Sequence, residues 1–333
     1  MRVGLAYDLK TAVSGHYAVD DALEEYDSPE TVAIITEALE SQGHDVVGLG
    51  GGIQFLDNVR QADVDIVFNI AEGRGNHRSR EAQVPAVLEM LDIPYTGSDP
   101  QCLAVCLDKP VTKKLVAAEG VVTPKWVIIE DEEDFFEITR QTLNYPVIIK
   151  PAYEGSSKGI RLTSVAHDFG EAEVEIGRQL RDYHQPVMVE EFIAGDEVTV
   201  GVVGNSPPQV LGMMRVLPKK REEYFVYSIE VKRDYLNLVD YESPVNLPED
   251  VLAKLESASL RVFKTLGCRD FSRIDFRVSR EGTPYFIEIN PLPGLGSYSD
   301  LVIMALKLGW THEGLINAVF DAALKRYPQC ITV

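Results

Sequence analysis

Cysteine, long apolar runs and positive charge are all scarce in this chain, and each shortage removes a class of function. The four cysteines, Cys102, Cys106, Cys268 and Cys330, fit neither a disulfide framework nor a zinc-site spacing. Cys102 and Cys106 can share a helix face at i,i+4, and small reduced core residues are the expectation for all four. The longest apolar runs, such as LVIMAL at 301 to 306, fall far short of a membrane span, and the start MRVGLAYDLK lacks the apolar stretch of a signal peptide. A cytoplasmic protein is therefore expected. With 32 Lys and Arg against 52 Asp and Glu, the formal charge of -20 disfavours nucleic acid and anionic membranes as partners, since both need a basic surface. No Walker motif GxxxxGK[ST] is present. What remains is an acidic globular protein of 333 residues, longer than one typical domain, whose 45% hydrophobic fraction is enough for two or three cores.

The order of elements reads as α/β. A strand at VGLAY leads through a long loop to a helix near 28 to 42, with Ser28 as N-cap, Pro29 at its first position and Gly43 past its end. Strands at DVVGL and DIVFNI and a helix at PAVLEML follow, so residues 1 to about 97 read as an open parallel-sheet unit. The run GLGGG at 48 to 52 lacks the spacing of a dinucleotide fingerprint and reads as a loop. A helix near 109 to 119, ended by Gly120, opens a second unit, with strands KWVII and YPVIIKP around an acidic helix at 131 to 142. PAYEGSSKGIRLT, 151 to 163, is a Gly/Ser loop between two strands whose free backbone N–H groups can cradle phosphate oxygens, with Lys150 at its entrance and Lys158 within it. PVMVEEFIAGDEVTVGVVG, 186 to 204, gives two strands around a bend, where Glu190 and Glu197 flank Phe192 and Ile193. Such a segment can grip a nucleoside, a carboxylate bonding ribose hydroxyls beside an apolar slot for the base.

RIDFRVSREGTPYFIEINPLPG, 273 to 294, carries the strongest chemical signal. Residues two apart on a strand share a face, so Arg273 lies with Asp275 and Glu288 with Asn290, while Ile274, Phe276, Ile287 and Ile289 turn to the core. If Glu281-Gly282 is a two-residue turn, counting outward sets Asp275 opposite Glu288 and Arg273 opposite Asn290. Hard oxygen donors of this kind suit Mg²⁺ with phosphate oxygens completing its shell, and the Arg suits phosphate. The Pro- and Gly-rich NPLPG then takes the chain off the strand in a shaped loop.

LDKPVTKKLVAAEGVVTP, VIIKPAYEGSSKGI, VEEFIAGDEVTVGV, RIDF and FIEINPLPG stand in the order found in ATP-grasp ligases, and with IPYTGSDP at 93 to 100 the chain most resembles the D-alanine–D-alanine ligase family over nearly its whole length. The resemblance implies an α/β (α+β) ATP-grasp fold of three domains. These are a Rossmann-like N-terminal domain at 1–97, a central lid domain at 98–187 and a C-terminal catalytic domain at 188–333, with ATP bound between the last two. It implies an ATP-dependent carboxylate–amine ligase that joins two amino acids through an acyl phosphate, with D-alanine as the leading substrate. Asp275, Glu288 and Asn290 then hold two Mg²⁺, with Mn²⁺ an alternative, and Arg273 steadies the transferred phosphoryl group and the tetrahedral oxygen. Lys109 and Lys150 match phosphate-binding lysines. Glu190 and Glu197 match contacts to the adenine amino group and the ribose, with Phe192, Ile193 and Ile287 beside the base. Glu154, Ser156 and Ser157 belong to the loop over phosphate and substrate, and Lys232, in EYFVYSIEVKRDY, resembles a lysine of a mobile loop. A homodimer is implied as well.

The substrate end departs from the family pattern. Where the family has a histidine-glycine pair and then Gly-Glu-Asp-Gly, this chain has NIAEGRGNHRSREAQVPAVLE, with Glu72 and Gly73 at the pair and Arg80 at an acidic position. Arg74, His77, Arg78 and Glu81 accompany them near strand ends, where open α/β sheets bind ligands. Ser299 matches a serine that receives the second substrate's carboxylate, Gly294 is a further substrate-site candidate, and Asp300 replaces an apolar neighbour. The acid for the first substrate's amino group falls on Glu24 by a gap-free count, with Asp20, Asp21 and Glu25 as competitors. A related dipeptide or amino-acid ligase with a charged substrate, and a non-catalytic ATP-binding regulatory protein, stay open beside the main reading.

Overall fold

A computed structural model describes residues 1–12, 19–140, 143–220 and 223–330. It contains three sheets. Strands β1 (Arg2–Ala6), β2 (Asp45–Gly50) and β3 (Ile66–Asn69) form a parallel sheet in the order β2-β1-β3. Strands β4 (Trp126–Ile129), β5 (Val147–Pro151), β6 (Val165–Ala166) and β7 (Val187–Glu191) form an antiparallel sheet, β4-β7-β5-β6. Strands β8 (Gly195–Val203), β9 (Gln209–Pro218), β10 (Val239–Glu242), β11 (Phe271–Ser279) and β12 (Pro284–Asn290) form the third, β10-β9-β8-β11-β12, also antiparallel.

The first helix, Pro29–Ser41, starts where its caps dictate. The Ser28 side chain accepts a hydrogen bond from the Thr31 N–H at 3.2 Å, Pro29 needs no partner for a missing N–H, and Gly43 leaves the helix at φ +80°. Its buried face, Ile35, Ala38 and Leu39, meets Leu301 and Val302 of helix Asp300–Lys307 and Ile316, Val319 and Phe320 of helix His312–Leu324. The beginning and end of the chain thus share one core.

The glycine run at 48 to 52 is not the loop expected. Gly48 to Gly50 finish β2, Gly50 and Gly52 take positive φ, and Gly51 caps the helix Gly52–Val59. A Cβ on Gly51 would sit 2.0 Å from an Asp8 carboxylate oxygen, so strand, turn and helix close directly onto that acid. The expected acidic helix at 131 to 142 is a 3-10 turn Glu132–Phe135 followed by the short helix Phe136–Arg140, and its last two residues lie outside those described. An unexpected helix, Phe169–Tyr183, backs the second sheet, with Ala172 and Ile176 packed on Val127, Val147 and Val189.

All four cysteines are free and buried. Cys102 and Cys106 share a helix face as expected, and the Cys102 thiol lies 3.8 Å from Cys106 and 3.6 Å from Cys268. No helix among the described residues is long and apolar enough to cross a membrane.

Candidate functional site

The β11–β12 hairpin does bring Asp275 opposite Glu288 and Arg273 opposite Asn290, by a different route from the one expected. The turn has three residues, not two. The Ser279 N–H donates to Thr283 O at 2.9 Å, and Gly282, at φ +77°, ends residues 280 to 282 in the left-handed conformation such loops need. That shifts the register by one, and a bulge restores it, since Phe276 pairs with Phe286 and Asp275 with Glu288, leaving Ile287 unmatched. The bulge also corrects the facing of Ile287. Strict alternation sends it to the core, whereas it lines a cavity beside Glu288.

The acids and bases of this hairpin interlock. Arg273 grips Asp275 from Nη2 at 2.9 Å and reaches Asp300 from Nη1 at 3.2 Å. Thr199, directly across from Asp275 on β8, donates to it at 2.9 Å, and the Asn290 amide donates at 3.3 Å. Burial, only partly offset by Arg273, pushes the Asp275 carboxyl up. Burial acts on Glu288 the same way, but Lys109, Lys150 and Arg273 outweigh it and hold that carboxyl down.

Two cavities meet at this cluster. The first lies between the second and third sheets. Lys150, Glu190, Phe192 and Ile193 form one wall, and Glu197, Arg273, Asp275, Ile287 and Glu288 the other, with Ser157 and Lys232 alongside. The Glu190 carboxylate is held by Lys113 at 2.6 Å and Lys150 at 3.3 Å. Glu197 pairs with Arg277, its cross-strand neighbour, at 3.1 Å, and burial raises its carboxyl to about 7 against that pull. The Arg277 guanidinium lies 4.4 Å from the Phe192 ring centre and donates to Ile193 O, fixing the bend between β7 and β8. Lys232, on helix Ile229–Arg233, has no ion pair among the described residues, and burial lowers its ammonium pKa.

The second cavity runs toward the first sheet. Arg273 and Glu288 line it as they line the first, joined by Asn290, Lys109, Ser156 and Gly294. Lys109 sits 3.7 Å from Glu288 and donates to the Glu154 carbonyl oxygen. Farther along are the carboxylates of Glu25, Glu72, Glu81 and Glu154. Ser156 and Ser157 both hold left-handed backbone, at φ +51° and +60°, which shapes the loop, and Ser157 Oγ donates to Tyr227 O at 3.1 Å.

Several expected substrate residues fall elsewhere. Glu24 lines neither cavity; it turns outward to Arg233 at 3.1 Å, while its neighbour Glu25 faces inward. The gap-free count lands on the outward-facing member of the pair. Arg80 is buried, and its guanidinium is engaged with Glu25 at 2.8 Å, Glu154 at 3.1 Å and Tyr153 O at 2.7 Å, so it braces the wall and lines neither cavity. Lys158 joins the same two carboxylates. Asp300 turns to Arg273 in the first cavity, not to the second. Ser299 starts helix Asp300–Lys307 and lines neither cavity, though its Oγ lies 3.0 Å from where a Cβ on Gly294 would be. Arg74 pairs with Asp8 at 2.9 Å and Arg78 with Asp108 at 3.6 Å.

Lys113, Arg277 and Thr199 were missed as site residues, and Glu25 was named only as a competitor of Glu24. The three that were missed had a readable signal. Lys113 follows Lys109 by one helical turn, Arg277 continues the alternation of Arg273 and Asp275, and Thr199 that of Glu197.

A family model described as D-ala D-ala ligase C-terminus matches residues 115–321. The D-alanine–D-alanine ligase of Aquifex aeolicus is 32% identical, over 88% of this chain and 94% of its own length. A protein of Sinorhizobium fredii called y4sG, described as uncharacterized, is 32% identical over 88% of this chain and 87% of its own. Among solved structures, the Bacillus anthracis D-alanine–D-alanine ligase complexed with ATP superposes with TM-score 0.75 at 22% identity, covering 99% of both chains. The VanG D-Ala:D-Ser ligase of Enterococcus faecalis gives 0.73 at 22% identity, over 97% of this chain and 100% of its own.

Proposed function

This chain belongs to the D-alanine–D-alanine ligase family of ATP-grasp enzymes, and from that premise we propose that ATP occupies the first cavity, the amino-acid substrates the second, and that they react at the shared wall. The protein is an ATP-dependent ligase that forms a carbon–nitrogen bond. The observation that carries the site assignment is that Arg273 and Glu288 line both cavities, so groups bound in each would meet there. Three domains at 1–97, 98–187 and 188–333 are proposed, supported by one sheet in each, apart from β7, which begins at Val187 and completes the central sheet.

Asp275, Glu288 and Asn290 are a donor set of hard oxygens, which fits Mg²⁺. Two ions are proposed, which Asp275, already fixed by Thr199 and Arg273, would hold together with Glu288 and Asn290. Bound Mg²⁺ would neutralise phosphate charge and polarise the phosphoryl group. The chain's own groups do the rest. Lys109 and Lys150 face the wall beside Glu288 and lower the cost of bringing a triphosphate to a carboxylate cluster. Arg273 supplies a fork of N–H donors where charge grows, first on the phosphoryl oxygens of an acyl phosphate and then on the tetrahedral oxygen once the amine attacks. Phe192, Ile193 and Ile287 offer the base an apolar slot and Glu197 the ribose a carboxylate, while Glu190 answers Lys113 and Lys150. Lys232 has an ammonium free for phosphate. In place of Glu24, Glu25 is the acid at the α-amino end, beside Ser156 and Gly155.

D-Alanine is the first reading for both substrates, by likeness to the named relatives. A ligase for a charged substrate is the second, favoured by Glu72 and Glu81 in the second cavity. A cytoplasmic homodimer completes the proposal, and light scattering tests the dimer. The reaction is tested by incubating the protein with ATP, Mg²⁺ and D- and L-amino acids, singly and in pairs, while measuring phosphate and identifying products by mass spectrometry. Phosphate and an amide should appear together; ATP binding without phosphate release for any pair would contradict the reading.

A further inference from the structure

Resting on the proposed assignment of the second cavity to amino-acid substrates, we infer that Glu72 and Glu81 form an ammonium-binding end of that cavity and that one of the two substrates is a diamino acid. The charge balance of the cavity carries this. Five carboxylates line it, those of Glu25, Glu72, Glu81, Glu154 and Glu288. Glu25 and Glu154 are answered by Arg80 and Lys158, and Glu288 by Lys109. The carboxylates of Glu72 and Glu81 have neither a hydrogen bond nor an ion pair among the described residues. Glu81 is only 8% exposed, and its carboxyl oxygens keep that exposure toward the cavity it lines.

Two acids in such a place need a proton or a cation. Burial, with Glu81, Glu25 and Asp27 adding to it, pushes the Glu72 carboxyl well up. Burial raises Glu81 to about 8 despite the pull of Arg80. The adjoining wall is apolar, formed by Leu107, Ile289, Pro291 and Leu292. An alkyl chain ending in an ammonium matches both parts, with methylenes on the wall and three N–H donors for the carboxylates.

The second amino group follows from counting charges at bond formation. Two monoamino acids bring two α-ammonium groups, and the attacking one gives up a proton, and its charge, before its nitrogen can react. The remaining α-ammonium goes to Glu25, which leaves Glu72 and Glu81 with none. A side-chain ammonium supplies the positive charge that lets them ionise.

The test compares 2,4-diaminobutyrate, ornithine and lysine with their monoamino counterparts 2-aminobutyrate, norvaline and norleucine. Both enantiomers are used, alone and paired with alanine, under saturating ATP and Mg²⁺. At least one diamino acid should exceed its counterpart in kcat/KM by roughly 10-fold or more, the scale of a charged hydrogen bond. Glu72→Gln and Glu81→Gln should each remove most of that preference through KM, with affinity for a non-hydrolysable ATP analogue unchanged. Equal rates for diamino and monoamino acids, or a preference that survives both substitutions, would overturn the inference while leaving the ligase assignment standing. Phosphate release with no pair at all would overturn both. The wild-type comparison decides the matter even where a variant does not fold.

Discussion

Replacing Arg80 by Met tests whether this residue is a brace or a substrate contact. Its guanidinium holds both oxygens of Glu25 at 2.8 Å, Glu154 at 3.1 Å and the Tyr153 carbonyl at 2.7 Å. Burial alone would raise the Glu25 carboxyl, yet Arg80 and then Lys158 hold it down at about 2. Removing the larger cation strands two buried carboxylates on one lysine. Breaking a buried pair in this way costs ~3 to 5 kcal/mol, and because Lys158 still reaches both acids the lower figure applies. At ~2 to 4 °C per kcal/mol for chains of ~150 to 250 residues, and less for longer ones such as this, Arg80→Met should lower the melting temperature by roughly 3 to 6 °C. The ATP-analogue affinity should not change. Adding Glu25→Gln removes one stranded charge, so the double variant should melt higher than the sum of the two single changes predicts. Circular dichroism melts of the four proteins at pH 7.5 give the answer. An Arg80→Met protein that melts within 1 °C of wild type, or strict additivity of the two changes, would refute the reasoning.

Lys113→Met leaves buried Glu190 with Lys150 alone, and should both destabilise the protein and weaken ATP-analogue binding, measured by calorimetry. Gly51→Ala should cost ~1 to 3 kcal/mol in denaturant melts, because its Cβ would meet the Asp8 carboxylate and the Tyr7 carbonyl oxygen at 2.8 Å. Burial raises the carboxyls of Asp27 and Glu197 to about 7 and of Glu81 to about 8. These groups keep protons in the folded protein at pH values where the unfolded chain, at about 4, has lost them. Their stabilising contribution is complete below that range and disappears as pH rises through 7 to 8. The ligand-free protein should therefore melt lower at pH 8.5 than at pH 5.5, and Asp27→Asn should flatten the slope; a melting temperature unchanged in its pH dependence by that substitution would contradict the assignment.

Period-two and helical patterns were enough to read the central cluster, because Arg273, Asp275, Glu288 and Asn290 sit on regular strands and Ser28, Pro29 and Gly43 mark their helix by local chemistry. The pairing of Asp275 with Glu288 came out right only because a longer turn and a bulge cancel. Bulges obey packing between sheets rather than alternation along one strand, which is why Ile287 was faced the wrong way. The substrate end was harder to read. Glu24 and Glu25 are adjacent, and which one faces inward is decided by Arg80, Lys158 and Gly155, all distant in sequence. Arg80 stood out as a charge reversal in a binding loop, but sequence carries no sign that Glu25 and Glu154 would bury against it. The helix Phe169–Tyr183 has the opposite lesson, since Asp168 as N-cap and the spacing of Ala172 and Ile176 were there to be read.

The central claim is that Arg273, Asp275, Glu288 and Asn290 carry out ATP-driven amide formation at the wall common to both cavities. Its most direct test is to quantify ADP and amide product together in wild type, Asp275→Ala and Glu288→Ala, with folding checked by circular dichroism. The account predicts equal amounts of ADP and amide from wild type, dependent on Mg²⁺, and loss of both in either folded variant. Wild-type yields from Asp275→Ala or Glu288→Ala would contradict it.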